Sequence, residues 1–393
     1  MKKLSVRDMD LRGKRILCRV DFNVPLTRDN KISDDTRIRA ALPTIRMIME
    51  KGGRLALCSH LGRPKGKPNP NMSLSPVRDR LAELLCVPVA WASDCVGEEA
   101  ESMVFALKDG EVGLLENLRF HTEEESNDSS FAQALARMAE IFINDAFGSA
   151  HRAHASTEGV THHVAQSGAG LLLDKEVTYL STVMEDPRPP FLAILGGAKV
   201  SDKMGVIHRL AGKVDRLIVG GAMAYTFLKA KGIEVGSSLV EQNRLEDAKE
   251  MMDLMVSSGT QLLLPVDHLV SSGPEDLEGM VCGINIPEGK MGLDIGPETI
   301  KMFVAAVSDA HTVVWNGPLG MFEKDAFAQG TEAMARALAA SGATVVVGGG
   351  DSAAALVKLG MADQVTHVST GGGASLEMLE GKALPGVEAL TDA

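Results

Sequence analysis

Aromatic side chains are scarce in this sequence: Phe, Tyr and Trp make up 4% of its 393 residues, with only two Trp and two Tyr. No run of 18 apolar residues occurs, which excludes a transmembrane helix and argues against a membrane partner. The opening residues, Met1-Lys2-Lys3-Leu4-Ser5-Val6-Arg7-Asp8, enter charged sequence at once, so no secretory signal core is expected. Five cysteines (Cys18, Cys58, Cys86, Cys95 and Cys282) are odd in number and form no C-x-x-C, so they read as reduced, mostly packed thiols of a cytoplasmic protein. Standard catalytic and nucleotide signatures are missing too. None of Gly66-Lys67, Gly212-Lys213, Gly289-Lys290 and Gly381-Lys382 is followed by Ser or Thr, so there is no Walker A loop. The Gly triplets lack the last Gly of G-x-G-x-x-G, which argues against a dinucleotide fold. Neither H-E-x-x-H nor G-x-S-x-G is present, and His151, His154, His162 and His163 have no Cys or Glu at ligand spacing.

What is abundant is glycine, with 40 residues, set in a chain that is 45% apolar. Such a balance excludes disorder and suits an α/β protein of two or three domains. The net charge is −12, yet residues 1–70 hold 17 Lys and Arg against 7 Asp and Glu. A net-acidic chain with one basic section is a poor nucleic-acid binder and a fair candidate for capturing a small anion at a focused site.

Short β-branched or Leu-rich runs alternate with helical stretches, the pattern of parallel α/β architecture. The strand candidates are Arg15–Val20, Arg54–Ser59, Val112–Leu115 and Ile141–Asn144, then Phe191–Leu195, Arg216–Val219, Gln261–Leu264, Thr312–Trp315, Thr344–Val347 and Gln364–Val368. Between the two sets, Leu173, Val177, Leu180 and Met184 share one helical face that ends at Pro187, Pro189 and Pro190. The expected fold is therefore two doubly wound, Rossmann-like parallel sheets joined by a hinge helix.

Ligands of open parallel sheets gather at the carboxyl ends of strands. In the first half those ends read Asp21-Phe22-Asn23, His60-Leu61-Gly62-Arg63, Glu116-Asn117-Leu118-Arg119 and Asp145 through Arg152. Arginines at three of the four ends suggest a convergent site for phosphate or carboxylate. The second half offers glycine instead: Gly196-Gly197, Gly220-Gly221, Gly348-Gly349-Gly350 and Gly371-Gly372-Gly373, three of these runs directly after a strand candidate and before a helix. Backbone N–H groups there suit a polyphosphate. Lys199 and Lys203, four apart at what reads as a helix start, either stand solvated or hold an anion between them.

These residues resemble the phosphoglycerate kinase family from end to end. The likeness rests on Arg19-Val20-Asp21-Phe22-Asn23-Val24-Pro25, Ser59-His60-Leu61-Gly62-Arg63-Pro64, Glu116-Asn117-Leu118-Arg119-Phe120 and Asn144 through Arg152. It continues through Gly196-Gly197-Ala198-Lys199-Val200-Ser201-Asp202-Lys203, Leu293-Asp294-Ile295-Gly296-Pro297, Trp315-Asn316-Gly317-Pro318 and the two Gly triplets. One departure is Ala222 after Gly220-Gly221, where many relatives carry a third glycine, and it implies a slightly narrower nucleotide pocket.

The resemblance implies reversible phosphoryl transfer between 1,3-bisphosphoglycerate and ADP, giving 3-phosphoglycerate and ATP, in a cleft closed by hinge motion. It implies a phosphoglycerate-binding domain over 1–169, a connecting helix over 170–188, a nucleotide-binding domain over 189–378, and a segment, 379–393, that returns to the first domain. By position, Asp21, Phe22, Asn23, Arg37, His60, Leu61, Gly62, Arg63, Arg119 and Arg152 would bind phosphoglycerate. Lys199, Lys203, Gly292, Asn316, Glu323, Gly349, Gly350, Asp351 and Ser352 would bind the nucleotide, with Asp351 as the Mg²⁺ ligand. Arg37, Lys199, Lys203 and the N–H groups of Gly372 and Gly373 would neutralise the transferred phosphoryl group. The resemblance further implies a monomer with small-molecule partners only. Two other readings remain open at this point: a kinase for a different carboxylic acid, and a catalytically inactive protein of the same fold.

Overall fold

A computed structural model describes residues 2–393 and divides the chain into two units, one running to Thr178 and resuming over Ala383–Ala393, the other spanning Tyr179–Lys382. The first unit is built on β1 (Arg15–Arg19), β2 (Arg54–Cys58), β3 (Val89–Ala92), β4 (Val112–Leu115), β5 (Ile141–Asn144) and β6 (Gln166–Ala169). These form one parallel sheet in the order β3-β4-β2-β1-β5-β6. The second unit contains β7 (Phe191–Leu195), β8 (Arg216–Val219), β9 (Gln261–Leu263), β10 (His268–Ser271), β11 (Met280–Cys282), β12 (Met291–Ile295), β13 (Thr312–Asn316), β14 (Thr344–Gly348) and β15 (His367–Val368). Six of them pair in parallel in the order β15-β14-β13-β7-β8-β9, the doubly wound arrangement, and β11-β10-β12 form a small antiparallel sheet.

The central strands read as unbroken apolar runs because helices cover both faces of a parallel sheet. All five residues of β7 are buried. The helix Thr36–Glu50 buries Ile38, Ala41, Leu42, Ile45 and Ile48, which recur at three- and four-residue steps along one face. These residues join Ile16, Cys18, Leu55, Leu57 and Leu114 of the strands in the core of the first unit. In the second unit Phe303, Trp315, Met334, Leu338 and Val347 anchor a separate core.

All ten expected strands are present, with ends shifted by a residue or two; the last shortens to His367–Val368, because Ala362–Gln364 winds into a single 3-10 turn. Sequence reading passed over β3, β6 and the three antiparallel strands. Gln166-Ser167-Gly168-Ala169 has no β-branched residue, and β11 is largely exposed, so neither gives an apolar run to detect. The helix read from Leu173 to Met184 spans Leu171–Glu185, and the boundary between units falls inside it.

Two features tie the ends of elements in the first unit. Its last residues are fastened by a Leu4 N–H to Thr391 carbonyl bond of 2.8 Å, a Gly386 N–H to Ala150 carbonyl bond of 2.9 Å, and a 2.8 Å bond from Asn144 Nδ2 to the Gly386 carbonyl. The amino end of the helix Leu171–Glu185 is capped by Asp145, whose Oδ1 accepts the N–H groups of Leu172 and Leu173 at 2.8 and 3.2 Å. Thr44 Oγ1 takes the Leu171 N–H at 2.9 Å. Asp145 is fully buried, and its Oδ2 has no partner. Burial pushes its carboxyl pKa up to about 7, against the hydrogen bonds that favour the charged form.

The folded chain thus holds a proton on Asp145 that the unfolded chain releases above about pH 4. Stability from this group is present at low pH and is lost as pH rises from about 4 through 7, by up to about 4 kcal/mol. We expect Asp145→Asn, which mimics the neutral acid, to lack this loss. Urea unfolding of the first unit, followed by Trp91 fluorescence in a Trp315→Phe background between pH 4.5 and 8, measures the difference. Parallel pH profiles for the two proteins would refute the assignment.

Candidate active site

In the first unit, parallel register sets Arg19 beside Cys58 and Asn144, so the segments that leave β1, β2 and β5 emerge along one edge. The strand order reverses between β1 and β5, where such sheets open a crevice. Asp21 Oδ2 accepts Arg37 Nη1 at 2.7 Å, Arg37 coming from the first turn of the helix Thr36–Glu50. Asn23 Oδ1 accepts the Gly62 N–H at 2.9 Å, and the Gly62 carbonyl accepts Arg119 Nη1 at 2.9 Å. Leu61 is held through both backbone groups by the Asn117 amide, and the Phe22 N–H donates to Ser59 Oγ at 2.8 Å. Loops far apart in sequence are therefore fastened to one another.

Beneath them lies Arg19, fully buried at the end of β1. Its Nε donates to Ser156 Oγ at 2.9 Å and its Nη2 to His60 Nδ1 at 3.0 Å. Ser156 in turn donates through Oγ and N–H to the buried Glu124 carboxylate at 2.6 and 3.0 Å. Since arginine is always a donor here, His60 Nδ1 is the acceptor and the ring proton sits on Nε2. Burial, then the charge of Arg19, drives the His60 pKa well below its ordinary value. Burial also lowers the Arg119 pKa, and Arg19 and Arg152 add to this. His154 falls to about 4 for the same reasons, burial first, then Arg19, Arg119 and Arg152. Burial alone would raise Asp21, yet the surrounding positive groups, Arg37 and Arg19 among them, hold its carboxyl below the usual range. The cationic groups here oppose one another, and a bound anion relieves that repulsion.

The structure thus brings Asp21, Phe22, Asn23, Arg37, His60, Leu61, Gly62 and Arg119 into one network, with Arg152 near enough for its charge to act on Arg119 and His154. Arg63 is exposed and makes no hydrogen bond or ion pair among the described residues. Arg19, Ser156 and Glu124 were not singled out by their chemistry. Arg19 reads as the end of an apolar strand, and only its charge within Ile-Leu-Cys-Arg-Val marks it.

In the second unit, Asn316 ends β13 opposite Gly348 of β14 and Leu195 of β7, again at the point where strand order reverses. Lys203 Nζ donates to Asn316 Oδ1, while Asn316 Nδ2 is buried without a partner. Burial lowers the Lys203 pKa, and the charges of Asp202, Asp351 and Glu380 oppose that shift. The two lysines lie ahead of the helix rather than in it. The helix begins at Met204, because the Lys203 N–H closes a turn onto the Val200 carbonyl at 2.8 Å. Lys199 is exposed.

Helices Gly350–Lys358 and Gly372–Leu379 both start beside this point. A Cβ on Gly372 would lie 3.2 Å from the Gly350 nitrogen, so the two sets of free amide donors are adjacent. Ser352 Oγ turns inward to accept the Gly317 N–H at 2.6 Å. Gly317 has φ +101° and a Cβ there would meet the Gly196 carbonyl oxygen at 2.2 Å, so this crossing of two loops requires glycine.

Next to these donors is a mostly apolar cavity of about 290 Å³, lined by Gly197, Ala222, Tyr225, Gly292, Pro318 and Asp351 among others, with Glu323 at its edge. A Cβ on Gly292 would strike the Tyr225 hydroxyl at 2.0 Å, so the glycine keeps the cavity open. Ala222 sits at φ −65° in ordinary helical conformation, and no third glycine is needed. The apolar lining, Tyr225 and Leu319 included, escaped the sequence reading because core-like residues carry no motif. A flat, apolar slot beside a row of N–H donors and a lysine suits a nucleoside polyphosphate. Asp351, exposed and bordering the cavity, makes no side-chain hydrogen bond among the described residues and fits the lone carboxylate that Mg²⁺ takes alongside phosphates and water.

Comparison with known proteins identifies the family. The family model described as phosphoglycerate kinase matches residues 6–382. The phosphoglycerate kinase of Chlorobium limicola is 55% identical over the whole of both chains. That of Synechococcus elongatus is 56% identical over 99% of this chain and 98% of its own. The solved structure of phosphoglycerate kinase from Coxiella burnetii superposes with a TM-score of 0.90 at 42% identity, over 98% of each chain. With the fold, the two anion-ready sites and full-length likeness in agreement, this chain belongs to the phosphoglycerate kinase family.

Proposed function

We propose that the protein transfers a phosphoryl group reversibly between 1,3-bisphosphoglycerate and ADP, yielding 3-phosphoglycerate and ATP. The observation that carries this reading is the division of labour between the units. A buried arginine network with Asp21, Arg37 and Arg119 lies in one, and paired helix starts beside an apolar cavity lie in the other. The phosphoglycerate would be held by Asp21, Phe22, Asn23, Arg37, His60, Leu61, Gly62, Arg63, Arg119 and Arg152. The nucleotide would be held by Lys199, Lys203, Gly292, Asn316, Glu323 and Gly349 through Ser352. The domains read as 1–169 for the acid, 170–188 as connector, 189–378 for the nucleotide and 379–393 returning to the first. Transfer then requires the two ligands to be brought together by motion about the connecting helix.

Phosphoryl transfer needs position and charge neutralisation more than covalent help from the protein. Arg37, Lys199, Lys203 and the N–H groups of Gly372 and Gly373 supply donors for oxygens that gain charge in transfer. Mg²⁺ held by Asp351 would add neutralisation of the nucleotide phosphates. The nucleophile in the ATP-consuming direction is the acid's own carboxylate, already ionised near neutral pH, so no general base is required. His60 is neutral, with Nε2–H as its free donor, and binds rather than removes a proton. Five unpaired cysteines, three of them buried, support a reducing, cytoplasmic setting. The protein would act as a monomer.

A coupled assay tests the activity itself. ATP consumption should depend on 3-phosphoglycerate and not on other carboxylic acids, and Lys203→Ala should lower kcat by about 10²-fold or more. Turnover independent of the acid, or unaffected by the substitution, would refute the reading. Calorimetry tests the division between units: Arg152→Ala should weaken 3-phosphoglycerate binding by about 10-fold or more and leave nucleotide affinity nearly unchanged. Equal losses for both ligands would contradict it. Finally, kcat at saturating substrate should show no limb near pH 6.5 between about pH 5.5 and 8, since the carboxylate nucleophile needs no base and His60 removes no proton. A limb present in the wild type and removed by His60→Gln would make His60 a base.

A further inference from the structure

Beside the anion network, the first unit gathers Asp94, Cys95 and His121, whose carboxylate, thiol and imidazole ligand atoms all lie within 4.8 Å of one another. We infer that these three side chains form a binding site for one zinc-like divalent cation, separate from the nucleotide's magnesium.

The donor set sets the class of ion. Sulfur, imidazole nitrogen and carboxylate oxygen together suit Zn²⁺, whereas Mg²⁺ and Ca²⁺ take oxygen almost alone. Tetrahedral bonds of about 2.0–2.3 Å place ligand atoms roughly 3.3–3.8 Å apart. The observed spread needs only about an ångström of side-chain movement to reach that spacing. Asp94 Oδ1 and His121 Nε2 are already 2.7 Å apart, and an ion between them would exchange this hydrogen bond for two metal bonds.

The surroundings hold the ligands and leave a way in. Asp94 and Cys95 are sequence neighbours just beyond β3, and the Cys95 N–H donates to Asp94 Oδ1 at 2.6 Å. The Phe131 ring lies 5.2 Å from the His121 ring at a 37° tilt, which limits the plane the imidazole can take. Cys95 is fully buried at the back, while Asp94 and His121 retain 47% and 29% side-chain exposure. Solvent can therefore reach the front and supply a fourth ligand. Burial, with Asp94 and Glu124 nearby, keeps the thiol protonated in the absence of a cation. When the ion binds, the Cys95 S–H and His121 Nε2–H bonds break and metal–sulfur and metal–nitrogen bonds form; the thiol proton leaves to solvent, and the Nε2 proton is given up through solvent, leaving a neutral imidazole protonated at Nδ1.

Placement gives the site a consequence for the anion network. His121 directly follows the turn Leu118–Phe120 that carries Arg119, and its N–H donates to the Leu118 carbonyl at 3.2 Å. A cation at His121 would tie that turn to the loop after β3.

The test uses chelator-stripped, full-length protein titrated with Cd²⁺, read by thiolate-to-cadmium charge-transfer absorption, and with Zn²⁺ in competition with a chromophoric chelator. The expected result is a band that saturates at one equivalent in the wild type and in Cys86→Ser, which removes the exposed thiol. The band should vanish in Cys95→Ser. Zn²⁺ affinity should fall about 10-fold or more in both Asp94→Asn and His121→Asn, whose partly exposed side chains carry the test without disturbing a buried thiol. No band in the wild type, a band that survives Cys95→Ser or is lost in Cys86→Ser, or Zn²⁺ affinity unchanged in the other two variants would overturn the assignment.

Discussion

A parallel sheet has one carboxyl edge, and everything functional in this protein depends on that. Each strand must be followed by a crossover that carries the chain back to the other edge, so every strand-to-helix segment is delivered to the same side. In the first unit this sets the segments after β1, β2, β4 and β5 side by side. In the second it does the same for those after β7, β13, β14 and β15. Residues separated by more than a hundred positions meet with no local signal linking them: Arg19 reaches Ser156, and Lys203 reaches Asn316.

The two units use that edge with different chemistry. The first concentrates charge. Buried guanidinium groups are costly to desolvate, and the structure meets the cost for Arg19 with Ser156, the Val20 carbonyl, His60 and, through Ser156, Glu124. Such a network is rigid, because moving one member leaves another buried and unpaired. The second relies on backbone N–H groups and a single half-buried lysine. Glycine lets the loops there cross within van der Waals contact, so the donors come from the main chain and need few charged side chains.

Much of this could be read from the sequence, for identifiable reasons. Eight of the ten strands read from the sequence are central ones, which showed because parallel strands buried on both faces leave apolar runs, and the connecting helix showed through Leu173, Val177, Leu180 and Met184. Arg119 and Asp21 could be proposed because they follow such runs directly. Spacing alone gave no reason to choose Arg37, which lies on a helix; its ion pair with Asp21 appears only once the chain is folded. Arg19 was hidden by the strand it ends, and Tyr225 by resembling core. The helical placement of Lys199 and Lys203 failed because spacing of four fits a turn entering a helix as well as the helix itself. β6 was missed because Gln-Ser-Gly-Ala is held by neighbours on either side rather than by its own propensity.

The closing residues of the chain brace the loop that bears Arg152. Gly386 bonds to Asn144 and Ala150 on the approach to Arg152, and Thr391 bonds to Leu4, with the whole second unit lying between them in sequence. On the ribosome these bonds cannot form until residues 386–391 leave the exit tunnel, after the whole second unit. The core of the first unit can condense early, as amino-terminal domains generally do, but these late stitches wait for the second unit to be made. Closing so long a loop costs only a little more entropy when the intervening unit is already compact. A nascent chain therefore carries a first unit whose Arg152 loop stays unbraced until the second unit has been made, and residues 386–391 act as its late seal.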